Sequence, residues 1–208
     1  MENWVGQLGL HFIVNVICTP DGKIYKAVSG HFIQAHRKGV EYAQEVLAVR
    51  VKHKADVVVA GSYPADLDFW QALKALMSAD LLAKDGGTII LVTPCPEGIG
   101  PHSEFAKYVG DDDPDALAAR AFAGEFADPY VVAGGVTLGR MRKRTRIAIV
   151  SDGLNPGVCQ QMKMHHFATA QQAVDWALAR HGSRARLSVI TFGAEIFPLV
   201  AEESARQE

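Results

Sequence analysis

Three short runs of almost unbroken apolar residues constrain this chain most: "ADVVVA" (residues 55–60), "TIILV" (88–92) and "RIAIV" (146–150). Each is too short for a buried helix and rich in β-branched residues, as expected of a strand covered on both faces. Between them lie segments of helical spacing. "DFWQALKAL" follows the first run. "HSEFAKYVG", "DDDPDALAARAFAGEF" and "PYVVAGGVTLGRMRKRT" follow the second, with a helix favoured over the ambiguous last segment. "ATAQQAVDWALARHG" reads as an amphipathic helix stopped by Gly182, and "ARLSVITFG" as a last strand. Strands that alternate with helices predict an α/β protein with a largely parallel or mixed sheet flanked by helices. Upstream, "LHFIVNVICT" and "KIYKAVSG" flank the turn "PDG", which predicts an N-terminal β-hairpin. A helix over Phe32–Val46 and a strand in "LAVRVKH" follow it. No linker divides the chain, so residues 1–208 read as a single layered domain.

Bulk properties exclude several classes. At net charge −2, nothing argues for nucleic acid or an anionic membrane as partner. Three widely spaced cysteines, Cys18, Cys95 and Cys159, do not make a disulfide framework and fit a reducing cytoplasm. The start lacks a basic signal region, and "HFIVNVIC" is too short to span a bilayer. No GxGxxG, P-loop or GxSxG occurs. "CQQMKMHH", with Cys159, His165 and His166, has no second half to make a metal site, and His31 and His36 do not share a helix face. The basic run Arg140–Arg146 suits a helix end on solvated surface, with an anionic partner as the other reading.

The informative segments follow buried strands: "GSYPADLDFWQALK" and "VTPCPEGIG". In the first, Asp66 after Pro64 is a plausible N-cap. Leu67, Trp70, Leu73 and Met77 mark an apolar stripe, with Asp68, Gln71, Lys74 and Ser78 on another face. Spacing leaves two readings of Gln71 and Lys74: a solvated face whose Lys stem covers Trp70, or a donor pair for a carboxylate. The second segment is a turn or the wall of a pocket.

Together these residues carry a resemblance. Ser62, Tyr63, Pro64 and Asp66, then Trp70-Gln71-Ala72-x-Lys74, Gly86-Gly87 before a strand, and Glu97-Gly98-x-Gly100 after it resemble the C-terminal domain of the lactate racemase family. "LHFIVNVICTPDGKIYKAVSGHFIQAHRKGVEYA" also looks like the start of that domain. The resemblance implies racemisation or epimerisation of 2-hydroxy acids by hydride transfer at carbon 2 on a nickel-pincer nucleotide. It implies that Lys74 pairs with the substrate carboxylate, Gln71 bonds it or the cofactor, and Trp70 walls the pocket. Tyr63, Pro64, Asp66, Glu97, Gly98 and Gly100 would shape the pocket or its loops. The family's cofactor-bearing Lys, nickel-binding His and two catalytic His lie in an N-terminal domain that nothing here matches. The expectation is therefore no catalytic or metal-binding residue in this chain, a nickel-bearing N-terminal domain or subunit as partner, and inactivity of the isolated chain. Two departures stand out: Trp70 replaces the usual Tyr, and "SGH" (Ser29–His31) stands where an acid commonly follows Gly. A non-catalytic carboxylate-binding or scaffold protein of the same fold is the alternative. An unrelated α/β enzyme using Lys74 with Asp66 or Asp68 is a third.

Overall fold

The computed structural model describes residues 2–201, which group into two compact units. The hairpin unit comprises residues up to Arg50 with Glu195–Leu199. The sheet unit comprises Val51–Ala194 with Val200.

In the hairpin unit, α1 (Glu2–Gln7) precedes β1 (Phe12–Cys18) and β2 (Ile24–His31), which pair antiparallel from Phe12↔His31 to Cys18↔Ile24. The expected turn is present: Gly22, at φ 80°, donates its N–H to Thr19 O. Helix α2 (Phe32–Leu47) packs on this pair, close to where Ile17 and Val28 are buried. Gly39 permits the approach, since a Cβ there would lie 3.3 Å from Val28 Cγ2. Arg37 of α2 grips both carboxylate oxygens of Glu2, each at 2.8 Å. Strand β3 (Ala48–Val51) pairs with the last strand, β9 (Phe197–Val200).

The sheet unit runs β4 (Ala55–Gly61), α3 (Phe69–Leu82), β5 (Ala83–Val92), α4 (Phe105–Val109), α5 (Pro114–Phe122) and α6 (Pro129–Arg144). It continues with β6 (Arg146–Val150), α7 (Pro156–Gln161), β7 (His165–Phe167), α8 (Ala170–His181) and β8 (Leu187–Ile190). Its five strands are all parallel, in the order β7-β6-β5-β4-β8. The chain steps outward from β4 to β7 in one direction, and α8 then carries it back to β8 on the far side of β4. With right-handed crossovers, that reversal puts α8 on the face opposite α3. Alternation along the strands agrees. Val57, Ile90 and Ala148 pack on Ala173 and Ala177 of α8, while Val58, Ile89, Leu91 and Ile149 are equally buried on the other register. Among the described residues no helix is long and apolar enough to cross a membrane.

Local chemistry starts the helices. Asp113 before Pro114, Asp128 before Pro129 and Asn155 before Pro156 each accept backbone N–H groups of the helix that follows. The segment that is ambiguous in sequence, α6, is a helix whose glycines are contact points. A Cβ on Gly135 would lie 2.5 Å from Tyr108 Cβ, and one on Gly139 2.9 Å from Pro114 Cβ. The basic run is not simply solvated surface. Arg142 donates to Val109 O and Asp111 O, and Arg144 to Ala83 O, Asp80 O and the carboxylates of Asp80 and Asp85.

Asp56, near the start of β4, accepts from Lys84 Nζ at 2.8 Å and from the Arg186 N–H at 2.9 Å, which holds its carboxyl below the ordinary range. A depressed folded-state pKa contributes stability above the unfolded value of about 4, lost as pH falls through the folded value. The melting temperature of Asp56→Asn is therefore expected to lie below wild type at neutral pH and converge with it in acid. A gap that stays constant with pH would contradict this.

Candidate functional site

Strands β4 and β5 are neighbours, so the two loops singled out in the sequence lie side by side and are laced together. Cys95 donates its N–H to Asp66 O, Glu97 to Leu67 O, and Phe69 to Gly98 O, at 3.1, 3.0 and 2.9 Å. The lacing corrects the expected N-cap. With their carbonyls committed to the β5 loop, Asp66 and Leu67 stay outside the helix, and Asp68 caps α3 by accepting the Gln71 N–H at 2.7 Å. Gly100 fits beneath this start, since a Cβ there would sit 3.1 Å from both Asp68 Cγ and Trp70 Cβ. On the other side, Gly153 donates to Pro94 O. Ser151 Oγ donates to the same oxygen.

The buried face of α3 is also displaced from the expected stripe. Phe69, Ala72, Ala75, Leu76, Ala79 and Leu82 enter the core, together with Ser78. Trp70, Leu73 and Met77 are thereby left to line a cleft of about 530 Å³ with Gln71 and Lys74. The opposite wall is α6: Tyr130, Ala133, Gly134, Thr137 and Leu138. Trp70 is the floor post. Its ring lies 4.8 Å from Phe105, 4.8 Å from His102 and 5.4 Å from Tyr130, all edge-on. Gly134 makes room for it, since a Cβ would come within 3.0 Å of the indole.

Lys74 Nζ donates to Gln71 Oε1 at 2.6 Å. The amide nitrogen of Gln71 and the remaining ammonium hydrogens bond to nothing else among the described residues. The cleft therefore presents one cation and one neutral amide donor side by side against an otherwise apolar wall, a set that suits a carboxylate. The other expected residues surround the start of α3 without lining the cleft. Tyr63, joined to Pro64 by a cis peptide, is 58% exposed and meets Phe192 edge-on at 5.7 Å. Asp66, Glu97 and Gly98 serve through the backbone bonds above, and Gly100 through close packing. The crevice between β4 and β8, where a ligand is often found in such sheets, is closed by backbone: Gly193 donates to Gly61 O, and a Cβ on Gly61 would lie 2.8 Å from Thr191 O.

Tyr130, Ala133, Gly134 and Thr137 are not among the residues expected from the sequence, although their i, i+3, i+4, i+7 spacing marks one helix face. The sulfur and imidazole candidates lie elsewhere. His166 Nε2 is 3.0 Å from Ser151 O, and His165 packs on Trp176. Burial pushes the Cys95 thiol up, and that of Cys159 up to about 11. Of the three cysteines only Cys18 is exposed, so the native chain should consume one equivalent of a thiol reagent, rising to three on denaturation. Native labelling at Cys95 would show that the β5 loop opens.

Fold and cleft together define an α/β domain with an open parallel sheet and a carboxylate-sized donor pair on the helix that follows its first strand. Residues 50–197 match the model of the lactate racemase C-terminal domain, and the chain belongs to that family. It is 28% identical over 190 residues to a lactate racemase of Lactiplantibacillus plantarum, covering 88% of this chain and 44% of that protein. It is 34% identical over 110 residues to a lactate racemase of Thermoanaerobacterium thermosaccharolyticum, covering 52% of this chain and 26% of the relative. The chain thus spans less than half the length of these relatives. The solved lactate racemase apoprotein from T. thermosaccharolyticum shares the fold at a TM-score of 0.75 and 24% identity, over 94% of this chain and 47% of the other. A protein from Thermotoga maritima shares it at 0.58 and 12%, over 91% and 49%.

Proposed function

We propose that this chain is the substrate-carboxylate side of a racemase or epimerase of 2-hydroxy acids that is built from two components. The observation that carries the reading is the Gln71–Lys74 donor pair set in an apolar cleft. Lys74 takes one carboxylate oxygen as an ion pair and the Gln71 amide donates to the other. Trp70 and Tyr130 exclude water from the acid's side chain. Fixing the carboxylate orients carbon 2.

The family resemblance links such reactions to a nickel-pincer nucleotide. Among the described residues no three His, Cys, Asp or Glu side chains come together to hold a metal ion. The resemblance puts the cofactor-bearing Lys and the nickel-binding His in an N-terminal component, and cofactor binding and the chemistry at carbon 2 are assigned to it on that ground. The role of this chain is to bind and orient the acid.

The test is interconversion of D- and L-lactate and larger 2-hydroxy acids, followed by chiral chromatography. The purified chain alone is expected to be inactive and without stoichiometric nickel, and the chain combined with the nickel-bearing component to be active. Stoichiometric nickel on the chain alone would overturn the division of labour. Carboxylate binding without turnover by the combined protein would favour a non-catalytic binding protein of this fold.

A further inference from the structure

The basic run Arg140–Arg146 is only partly absorbed by the fold. Its second half lines a cleft of about 370 Å³ in the sheet unit. Arg146 and His165 open β6 and β7, Gly86 lies near the start of β5, and Arg180 stands in the last turn of α8. The cleft is thus at the amino ends of the parallel strands. The Gln71–Lys74 pair belongs to the other end, on the helix that follows the carboxyl end of β4.

Six of the ten residues lining this cleft are Lys or Arg, and none is Asp or Glu. Helix dipoles account for some of them, since Arg142, Lys143 and Arg144 close α6 and Arg180 closes α8. They do not account for Arg146, which is on a strand. Nor do they account for Lys163, which holds φ 57° just after the short α7, a conformation usual for Gly or Asn. Carboxylates outside the cleft neutralise part of the charge. Lys163 pairs with Asp112, Arg144 with Asp80 and Asp85, and Lys143 lies 4.0 Å from Asp113. Arg142 directs its N–H groups to the main-chain oxygens of Val109 and Asp111. Among the described residues Arg146 and Arg180 have no hydrogen-bond or ion-pair partner. Three guanidinium charges therefore face one concave site without a carboxylate, which focuses a positive potential there. His165, packed on Trp176, senses it: partial burial holds its imidazole below the ordinary range, and the Arg146 charge lowers it further.

We propose that this cleft binds a small, multiply charged oxyanion of the phosphate class, held by Arg146 from β6 and Arg180 from α8 with His165 beside them. Guanidinium forks match phosphate oxygens two at a time. A monoanion would leave the site positive, so a ligand of two or more charges is favoured. The concave shape and small-ligand size of the cleft, with a chain net charge of −2, favour a small anion over a polyanion. The site shares α6 with the carboxylate cleft but none of its lining residues, so the proposal stands apart from the racemase reading.

The test titrates the full chain, at fixed ionic strength, with inorganic phosphate, pyrophosphate and ribose 5-phosphate, followed by nuclear magnetic resonance and calorimetry. Saturable shifts are expected at the His165 imidazole and the Gly86 amide, and lactate should produce neither. The double variant Arg146→Gln, Arg180→Gln removes side chains without partners and so should keep the wild-type Tm. It is expected to weaken binding about tenfold or more. Lys23→Gln, in the hairpin unit, should leave binding unchanged. Tighter binding of ribose 5-phosphate than of inorganic phosphate would assign the site to phosphate esters, and the reverse order to the free ion; either supports the proposal. No saturable binding of any of the three, equal binding by the double variant, or shifts confined to residues outside the cleft would each overturn it. So would a single-stranded RNA that binds there more tightly than pyrophosphate, since the ligand would then be a nucleic acid.

Discussion

Lys74→Met is expected to lower kcat/KM of the combined racemase by about 10- to 100-fold, from the worth of a charge-assisted hydrogen bond. Nearly all of the loss should fall on KM. The carboxylate keeps its charge while carbon 2 reacts, so Lys74 holds ground state and transition state alike, and removing it removes uniform binding. Stability should hardly change: Lys74 is solvent-exposed and its ammonium bonds to the neighbouring Gln71 side chain, so Tm should stay within about a degree. Gln71→Glu is the sharper companion, because it keeps the shape and the bond to Lys74 but sets a negative charge against the substrate carboxylate. A loss in kcat with KM unchanged would place Lys74 in the chemistry instead of in binding.

The second large effect is on the scaffold. Gly153→Ala should cost about 3 kcal/mol and lower Tm by about 6–12 °C. The added Cβ would lie 1.8 Å from Cys95 O and 2.5 Å from Pro94 O, which are backbone atoms with no rotamer to change. The same loop receives the Gly153 N–H and in turn holds Asp66, Leu67 and Phe69. Ligand affinity in the cleft should therefore fall together with stability, although Gly153 touches neither Gln71 nor Lys74. Wild-type Tm in Gly153→Ala would show that the loop is not clamped as described.

Much of this was legible in the sequence. The continuous apolar runs became β4, β5 and β6, and the helical periodicity around Trp70–Lys74 and Ala170–His181 became α3 and α8. What escaped depends on distant contacts or on short elements. Asp66 reads as the N-cap of α3 until the β5 loop claims the Asp66 and Leu67 carbonyls, which passes the role to Asp68. The core face of α3 is displaced because small alanines pack inward while Trp70 and Met77 turn toward α6. Strand β7 has three residues, His165–Phe167, too few for any period to show, and α7 before it is six residues long. The second wall of the cleft comes from α6, far along the chain from α3, and its glycines reveal their packing role only once Trp70 and Tyr108 are seen against them.

The most direct test of the central claim is a nuclear magnetic resonance titration of this chain with lactate, with propionate and glycerol as controls. Lactate and propionate are expected to shift the Gln71 side-chain amide, the Lys74 ammonium-bearing methylene and the Trp70 indole, in a set that Lys74→Met abolishes. Glycerol should shift none of them. Shifts from the two acids that lie elsewhere, or that persist unchanged in Lys74→Met, would contradict a carboxylate site at Gln71 and Lys74.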